Sequence, residues 1–331
     1  MKYVIIGTGP AAVSAAKTLS KEDSSSEIVM VSAEAKPFYI KPALVEYISG
    51  DVPDNALFME NMIKSDNVSV IAGKRVIKVE ADKNSILLAT GEKIDYNYLV
   101  IATGASSQVP SNLEHARQYI DCLSDSADAL RIRKKIETSK KAVISGEGYT
   151  GIELARGLKK AGLDVTYITK ENELLPGFGE EIDNNALFSK MKERGIDILL
   201  EEEINDVVSL SADELNVITS GGKEINCNIV VSSDRYEPNV AFLRDSEISV
   251  EKGILVSEEL RSSVSNIFSA GDAAQVYDIN RNLNRINFGW NSASAQGELC
   301  AKNILGEGSV YIADEDKYFR QLIGKKIMER W

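Results

Sequence analysis

Two short stretches carry glycines at the spacing that holds a dinucleotide phosphate. The first is Gly7-Thr8-Gly9-Pro10-Ala11-Ala12, a G-x-G-x-x-A pattern, preceded by the apolar run Tyr3-Val4-Ile5-Ile6 and running into an alanine-rich segment to Ser20. That order reads as buried strand, tight turn and helix. The first glycine permits the sharp exit from the strand. The second lets a pyrophosphate approach the backbone, and the third small residue lets helix and strand pack closely. The helix start adds unpaired N–H groups and a partial positive charge. The second stretch, Gly146-Glu147-Gly148-Tyr149-Thr150-Gly151, is a complete G-x-G-x-x-G about 140 residues later, between strand-like Lys141–Ser145 and helix-like Ile152–Lys160. One match is a weak signal. Two copies with the right flanks form an internal repeat of a βαβ unit, which is much stronger.

Ribose recognition needs an acid after the second strand of each unit. After Glu27–Val31 stands Glu34, 22 residues beyond Ala12. After Val165–Ile168 stand Thr169, Lys170 and Glu171. An acid at that point selects NADH through its 2′-hydroxyl, whereas its loss beside a cation admits the 2′-phosphate of NADPH. Both donors stay open on these residues.

The chain has 331 residues, enough for two or three domains, and a net charge of −12. That charge argues against nucleic acid or an anionic membrane as the main partner. No apolar run is long enough to span a bilayer. Cys122, Cys227 and Cys300 are scattered, no C-x-x-C occurs, and His115 is the single histidine. A disulfide framework, a metal site and a Ser-His-Asp triad are therefore not expected, and a reducing cytoplasm is the default location.

These residues need a scaffold. Strands are expected at 68–71, 75–79 and 85–88, with a hairpin at Ala89-Thr90-Gly91-Glu92, then a buried strand at 98–101 ending in Ala102-Thr103-Gly104. A short helix should follow Pro42. Helical patterns cover 124–140, 181–194 and 292–303. Strands are expected near 197–200, 206–210, 215–219 and 229–233, and Asn266–Asp272 reads as a strand ending in Gly271-Asp272. The tail from 307 reads as one amphipathic helix, with Tyr318-Phe319, Leu322-Ile323 and Ile327-Met328 at helical spacing.

With these landmarks in order, the chain resembles the two-dinucleotide-binding-domain flavoproteins of the pyridine nucleotide–disulfide oxidoreductase superfamily. It is most similar there to NADH–rubredoxin and ferredoxin reductases and nitrite-reductase flavin domains. The matching segments are GTGPAA at 7–12, YIKPALVEYISG at 39–50, YLVIATGA at 98–105, GEGYTGIELA at 146–155, NIFSAGDAA at 266–274 and WNSASAQGELCAKNILG at 290–306. The resemblance implies an α/β fold of two Rossmann-like domains. An FAD domain, 1–112 plus 235–306, would carry an inserted nicotinamide domain, 113–234, and a truncated C-terminal domain, 307–331.

It also implies residue roles. Gly7, Thr8, Gly9, Pro10 and Ala11 would cradle the FAD pyrophosphate, and Glu34 the adenosine ribose. Val76 would meet adenine, with Thr103, Gly104, Gly271 and Asp272 along the phosphate and ribityl chain. Trp290 would lie near the flavin ring and Lys41 beside it. Gly146, Gly148 and Gly151 would cradle NADH or NADPH, Thr169 and Lys170 would meet its ribose, and Glu153 would face the nicotinamide. Catalysis would rest on Glu153 and Lys41. The function implied is transfer of electrons from NAD(P)H, through FAD, to a small iron–sulfur or rubredoxin-like carrier. The alternative is a non-catalytic flavin-binding subunit of a larger redox complex. A homo-oligomer or hetero-complex is open, and the resemblance leans toward NADH.

Three departures from the family pattern matter. Segment 39–46, where disulfide- and oxygen-reducing members place a redox cysteine, has none. Relatives also place a lysine, paired to the acid matching Glu153, where Glu46 stands. Two carboxylates close together would raise one pKa. The usual Gly-x-x-Pro-Asn turn begins instead with Ser233-Asp234. The short tail suggests an edge open to a protein partner; the plain reading is a helix folded back on its own core. Each site residue has a plain reading too: Lys41 as a surface lysine, Glu34 as a solvated acid, Asp272 as a turn former, Trp290 as packing, Glu153 as an acid favoured by a helix start.

Overall fold

The structure is a computed structural model. It describes residues 1–331 except 37, 60–61, 177, 179–181 and 314–316, and describes only the backbone of residues 317–322. The chain forms two compact units: Met1–Tyr39 with Phe58–Ala105 and Glu237–Glu315, and Ile40–Leu57 with Ser106–Tyr236 and Asp316–Trp331.

The first unit is built on a five-stranded parallel sheet in the order Ile267–Ser269, Tyr98–Ile101, Lys2–Ile6, Glu27–Val31, Val68–Ile71. Its inner strands are near-continuous apolar runs because both faces are covered, and Val4 and Ile5 have no exposed surface, whereas the edge strand Val68–Ile71 is partly exposed. Lys2–Ile6 is central. Its next strand in sequence pairs on one side, Tyr3 opposite Ile28, and Tyr98–Ile101 pairs on the other, Tyr3 opposite Tyr98. This is a switch point, where open α/β sheets bind ligands. The expected hairpin forms in an antiparallel layer of Val76–Glu80, Ser85–Leu88 and Lys93–Asp95, with Gly91 at φ +86° and its N–H on Leu88 O.

Helix Pro10–Glu22 leaves the glycine turn and crosses helix Trp290–Ile304 closely. The crossing needs small residues. A Cβ at Gly297 would fall 2.0 Å from the Ala11 carbonyl oxygen.

The second unit repeats the plan: Ile196–Leu199, Asp164–Ile168, Lys141–Gly146, Ile229–Ser233, Ile120–Cys122, all parallel, with Lys141–Gly146 central. It too has a three-stranded antiparallel layer, Ile204–Ser209, Leu215–Thr219 and Glu224–Cys227. The helix expected over 124–140 spans Ser126–Ile136, capped by the Asp125 side chain accepting from Asp128 N at 2.9 Å. The helix expected from 181 begins at Asn184, capped by Asp183; residue 181 itself lies outside the described residues. Strands Ile120–Cys122, Glu224–Cys227, Ala274–Asp278 and Leu283–Ile286 were not legible in the sequence.

The units differ from the expected domains chiefly at 40–57 and in the tail, and their boundaries fall at 105/106 and 236/237 rather than 112/113 and 234/235. Residues 40–57 join the second unit, because the short helix Leu44–Ile48 packs on helix Tyr149–Lys160. Gly157 permits this: a Cβ there would lie 2.6 Å from Val45 Cγ1. The tail also joins it as helix Lys317–Arg330. Lys190 Nζ and Arg194 Nη1 donate to the carbonyls of Met328 and Arg330, Ile327 is fully buried, and Trp331 is buried beneath the Arg194 guanidinium. The tail thus follows the plain reading, a helix folded back on the chain's own core. The apolar spacing at Tyr318, Phe319 and Leu322 lies outside the described side chains.

Candidate functional site

The parallel strands of the first unit deliver four loops to one end of the sheet: 7–12, 32–34, 102–104 and 270–272. Gly7 turns at φ +121° and donates to Val31 O; a Cβ there would meet Ala102 O at 2.1 Å, so only glycine fits beside that strand. Buried Thr8 donates from Oγ1 to Ser32 Oγ, which in turn accepts from Glu34 N. Gly9 is the N-cap, extended, with no side-chain cap, and Pro10 follows at the first helical position. A Cβ on Gly9 would meet no protein atom within 4 Å. The N–H groups at the start of this helix are therefore uncapped and approachable, which is what a pyrophosphate needs.

The neighbouring loops close around this turn. Thr103 Oγ1 donates to Asn239 O, Asn239 Nδ2 donates to Thr103 O, and Asn239 N donates to Gly104 O. Gly271, at φ +73°, approaches Ala11 and Ala293, and its N–H is held by the buried Gln296 side chain. Asp272 follows, half-buried, and half-buried Trp290 opens the helix bearing Ala293 and Gln296. Glu34 lies beyond the second strand and is half-buried; Val76 is buried in the antiparallel layer opposite Leu88. Gly7, Thr8, Gly9, Pro10, Ala11, Glu34, Thr103, Gly104, Gly271 and Asp272 thus share one sheet end. Lys41 belongs to the second unit, 6.0 Å above the Tyr236 ring.

The second glycine turn is built on the same rules. Gly146 (φ +155°) and Gly151 lie against Ser233, where added Cβ atoms would fall 2.0 and 2.9 Å from Ser233 Oγ. The Tyr167 hydroxyl donates to Gly146 O at 2.7 Å. Gly148, at φ +83°, caps the helix without a side-chain bond and faces open space. Thr169 is buried, and its hydroxyl accepts from Glu171 N. Lys170 is not a free cation: it pairs with Glu147 of the glycine turn at 2.5 Å, and that hydrogen bond raises its pKa. Asp234 accepts hydroxyls from Ser145 and Ser232, and burial raises its pKa despite those bonds.

Glu153 is buried on the first turns of helix Tyr149–Lys160. The concern that Glu46 and Glu153 would face each other as bare carboxylates is answered by two arginines. Arg156 donates to Glu153 Oε2 through Nε (3.2 Å) and Nη2 (2.9 Å), and Nη2 reaches Glu46 Oε1 at 3.3 Å. Arg330 Nη1 lies 2.5 Å from Glu153 Oε2 and 2.9 Å from Glu46 Oε1. Arg156, at i+3 from Glu153, was readable as a helical pair; Arg330, far along the chain, left no local signal. Gly297, Gln296 and Asn239, which hold the first turn in shape, were also missed as individual residues.

No thiol is poised for chemistry. Burial pushes Cys122 up to about 11 and Cys227 up to about 12, and raises fully buried Cys300 as well. No cluster of metal-ligating side chains occurs among the described residues.

A family model described as pyridine nucleotide-disulphide oxidoreductase matches residues 1–297. The NADH-rubredoxin oxidoreductase of Clostridium acetobutylicum is 29% identical over 317 residues, covering 94% of this chain and 76% of that protein. The NADH oxidase of Methanocaldococcus jannaschii is 26% identical, covering 92% and 70%. Among solved structures, the NAD-dependent persulfide reductase from A. fulgidus superposes with a TM-score of 0.87 at 23% identity. That likeness speaks for the fold; it covers 95% of this chain and 61% of the longer persulfide reductase.

Proposed function

The chain belongs to the pyridine nucleotide-disulphide oxidoreductase family, and from that premise we propose that it is an FAD-dependent NAD(P)H oxidoreductase serving a small iron–sulfur or rubredoxin-like carrier protein. One observation carries the reading: each unit holds its own uncapped glycine turn at the switch point of its own parallel sheet. A binding-only subunit has no use for the second.

On this reading the first unit holds FAD. Gly7, Gly9, Pro10 and Ala11 present the helix start to the pyrophosphate, with Thr8 buried behind the turn. Glu34 accepts from the adenosine ribose, Val76 lies toward adenine, and Thr103, Gly104, Gly271 and Asp272 flank the phosphate and ribityl chain. Trp290 lies toward the ring, and Lys41 is assigned to the flavin by the family resemblance. When bound, FAD supplies two-electron acceptance and one-electron release. Gly146, Gly148 and Gly151 take the nicotinamide dinucleotide, and Glu153 orients its nicotinamide end. NADH is the favoured donor, because Glu147 already neutralises Lys170, the cation that a 2′-phosphate would need.

The carrier is proposed from the name of the Clostridium relative and from chemistry. The cysteine-free segment 39–46, the buried thiols of Cys227 and Cys300 and the half-buried, raised thiol of Cys122 leave no group for disulfide exchange. A one-electron acceptor protein fits that lack. A cytoplasmic location fits the three unpaired cysteines, and no described helix is long and apolar enough to cross a membrane.

The test is an anaerobic titration of the purified yellow protein with NADH and NADPH, followed by addition of rubredoxin or ferredoxin. NADH should bleach the flavin band at lower concentration than NADPH, and the carrier should restore it. Bleaching by neither nucleotide sinks the reductase reading.

A further inference from the structure

The four-residue cluster around Glu153 has a role that the fold alone does not require. Resting on the reading of Glu153 as the residue that meets the nicotinamide, we propose that Arg330 and Glu46 are positioning residues for that nucleotide: with Arg156 they clamp Glu153 by one oxygen and keep the other for the amide of the ligand.

The hydrogen bonds are unevenly distributed over the two carboxylates. All three donor atoms, Arg156 Nε, Arg156 Nη2 and Arg330 Nη1, converge on Glu153 Oε2. The Glu46 contacts fall on its Oε1 alone. Glu153 Oε1 and Glu46 Oε2 are buried and bond to nothing among the described residues. A buried carboxylate oxygen without a donor is costly, and a primary amide supplies the missing N–H. The carboxamide of nicotinamide is such a group.

The charges explain why the tail is needed. Glu46 and Glu153 contribute two negative charges, and Arg156 and Arg330 two positive ones. Each guanidinium spans both acids, so the cluster is neutral as a unit. The other groups facing it are Tyr149, on the same helix as Glu153, and Asp51, whose carboxylate interacts with Arg156 and pairs outward with Lys160. None of these replaces Arg330. Without it, one uncompensated negative charge stays buried, and the pair is driven to take up a proton. A protonated Glu153 is a poor acceptor for an amide, so nucleotide binding must then weaken as pH falls.

The test uses flavin-loaded protein and measures the Kd for NADH by fluorescence from pH 6 to pH 8.5. Wild type should vary less than about twofold. Arg330→Gln should bind about tenfold more weakly at pH 6 and recover as pH rises, since one coupled proton changes affinity by up to about tenfold per pH unit. The double variant Glu46→Gln/Arg330→Gln restores neutrality and should return a flat profile. Arg330→Lys should also stay flat. Flavin absorbance and circular dichroism report whether each variant is folded, and the lysine and double variants keep the test alive if the single one is not. A pH-independent loss shared by Arg330→Gln and the double variant would mean a merely structural tail and would overturn the proposal. So would unchanged binding in Arg330→Gln. Absence of NADH binding by wild type would instead defeat the functional reading beneath it.

Discussion

At the scale of single residues, Gly9 and Gly7 look alike in sequence but are constrained by different things. Gly7 is fixed by the protein, since any side chain meets the Ala102 carbonyl. Gly9 has an ordinary φ of −72° and open space beyond it. Gly9→Ala should therefore cost the fold only about 0.5–1 kcal/mol, the difference between glycine and alanine at an N-cap. It should weaken flavin binding by about tenfold or more, because the methyl occupies the phosphate approach. Apo-protein melting and flavin titration check the two halves separately. Asp234 carries the pH argument. Burial raises its folded pKa above the ordinary carboxylate value, so its penalty is absent below about pH 4 and grows as pH rises through the raised value. Asp234→Asn keeps an acceptor for Ser145 and Ser232 and removes the charge. It should melt higher than wild type at pH 8, with the gap closing toward pH 4; equal melting at both pH values would refute the assignment.

Elements explain what the sequence showed and what it hid. The two glycine turns, their strands and helices, and the hairpin at 89–92 were legible, because each is decided by local apolar runs and turn chemistry. The strands at 120–122 and 274–286 were not, because they are short, partly polar and chosen by their neighbours. Helix crossings were hidden for the same reason. Nothing near Gly297 announces that it faces Ala11, yet the approach leaves no room for a methyl group. Gly297→Ala should destabilise the first unit by about 1–3 kcal/mol, the usual cost of overpacking. It should also release flavin, since helix Pro10–Glu22 must shift. Gly157→Ala meets Val45 in the same way in the second unit, but there flavin content should hold. Flavin-to-protein ratio and urea midpoints distinguish the pair.

For the molecule as a whole, each unit has its own apolar core: one around Ile5, Leu19 and Phe268, the other around Val143, Ile168 and Val230. Two cores make a single unfolding free energy unsafe as a description. Calorimetry should resolve two transitions, one raised by excess FAD and the other by a nicotinamide dinucleotide, each by RT ln(1 + [L]/Kd). A single transition moved equally by both ligands would contradict this. The sequence could not announce the make-up of the second unit. Segment 40–57 looks like a continuation of the first, and contacts far along the chain, among them Val45 on Gly157, Glu46 on Arg156 and Asp51 on Lys160, assign it elsewhere.

Neither unit is continuous in the chain, and this bears on how the protein is made. Strand Ile267–Ser269 pairs with Tyr98–Ile101 and is translated long after it. A nascent polypeptide that has emerged as far as residue 236 therefore presents Tyr98–Ile101 as a bare sheet edge, and a second unit without the helix that covers Glu153. Such edges recruit strangers. Cellular yield should thus depend on ribosome-associated chaperones more than a protein of this size with sequential domains would.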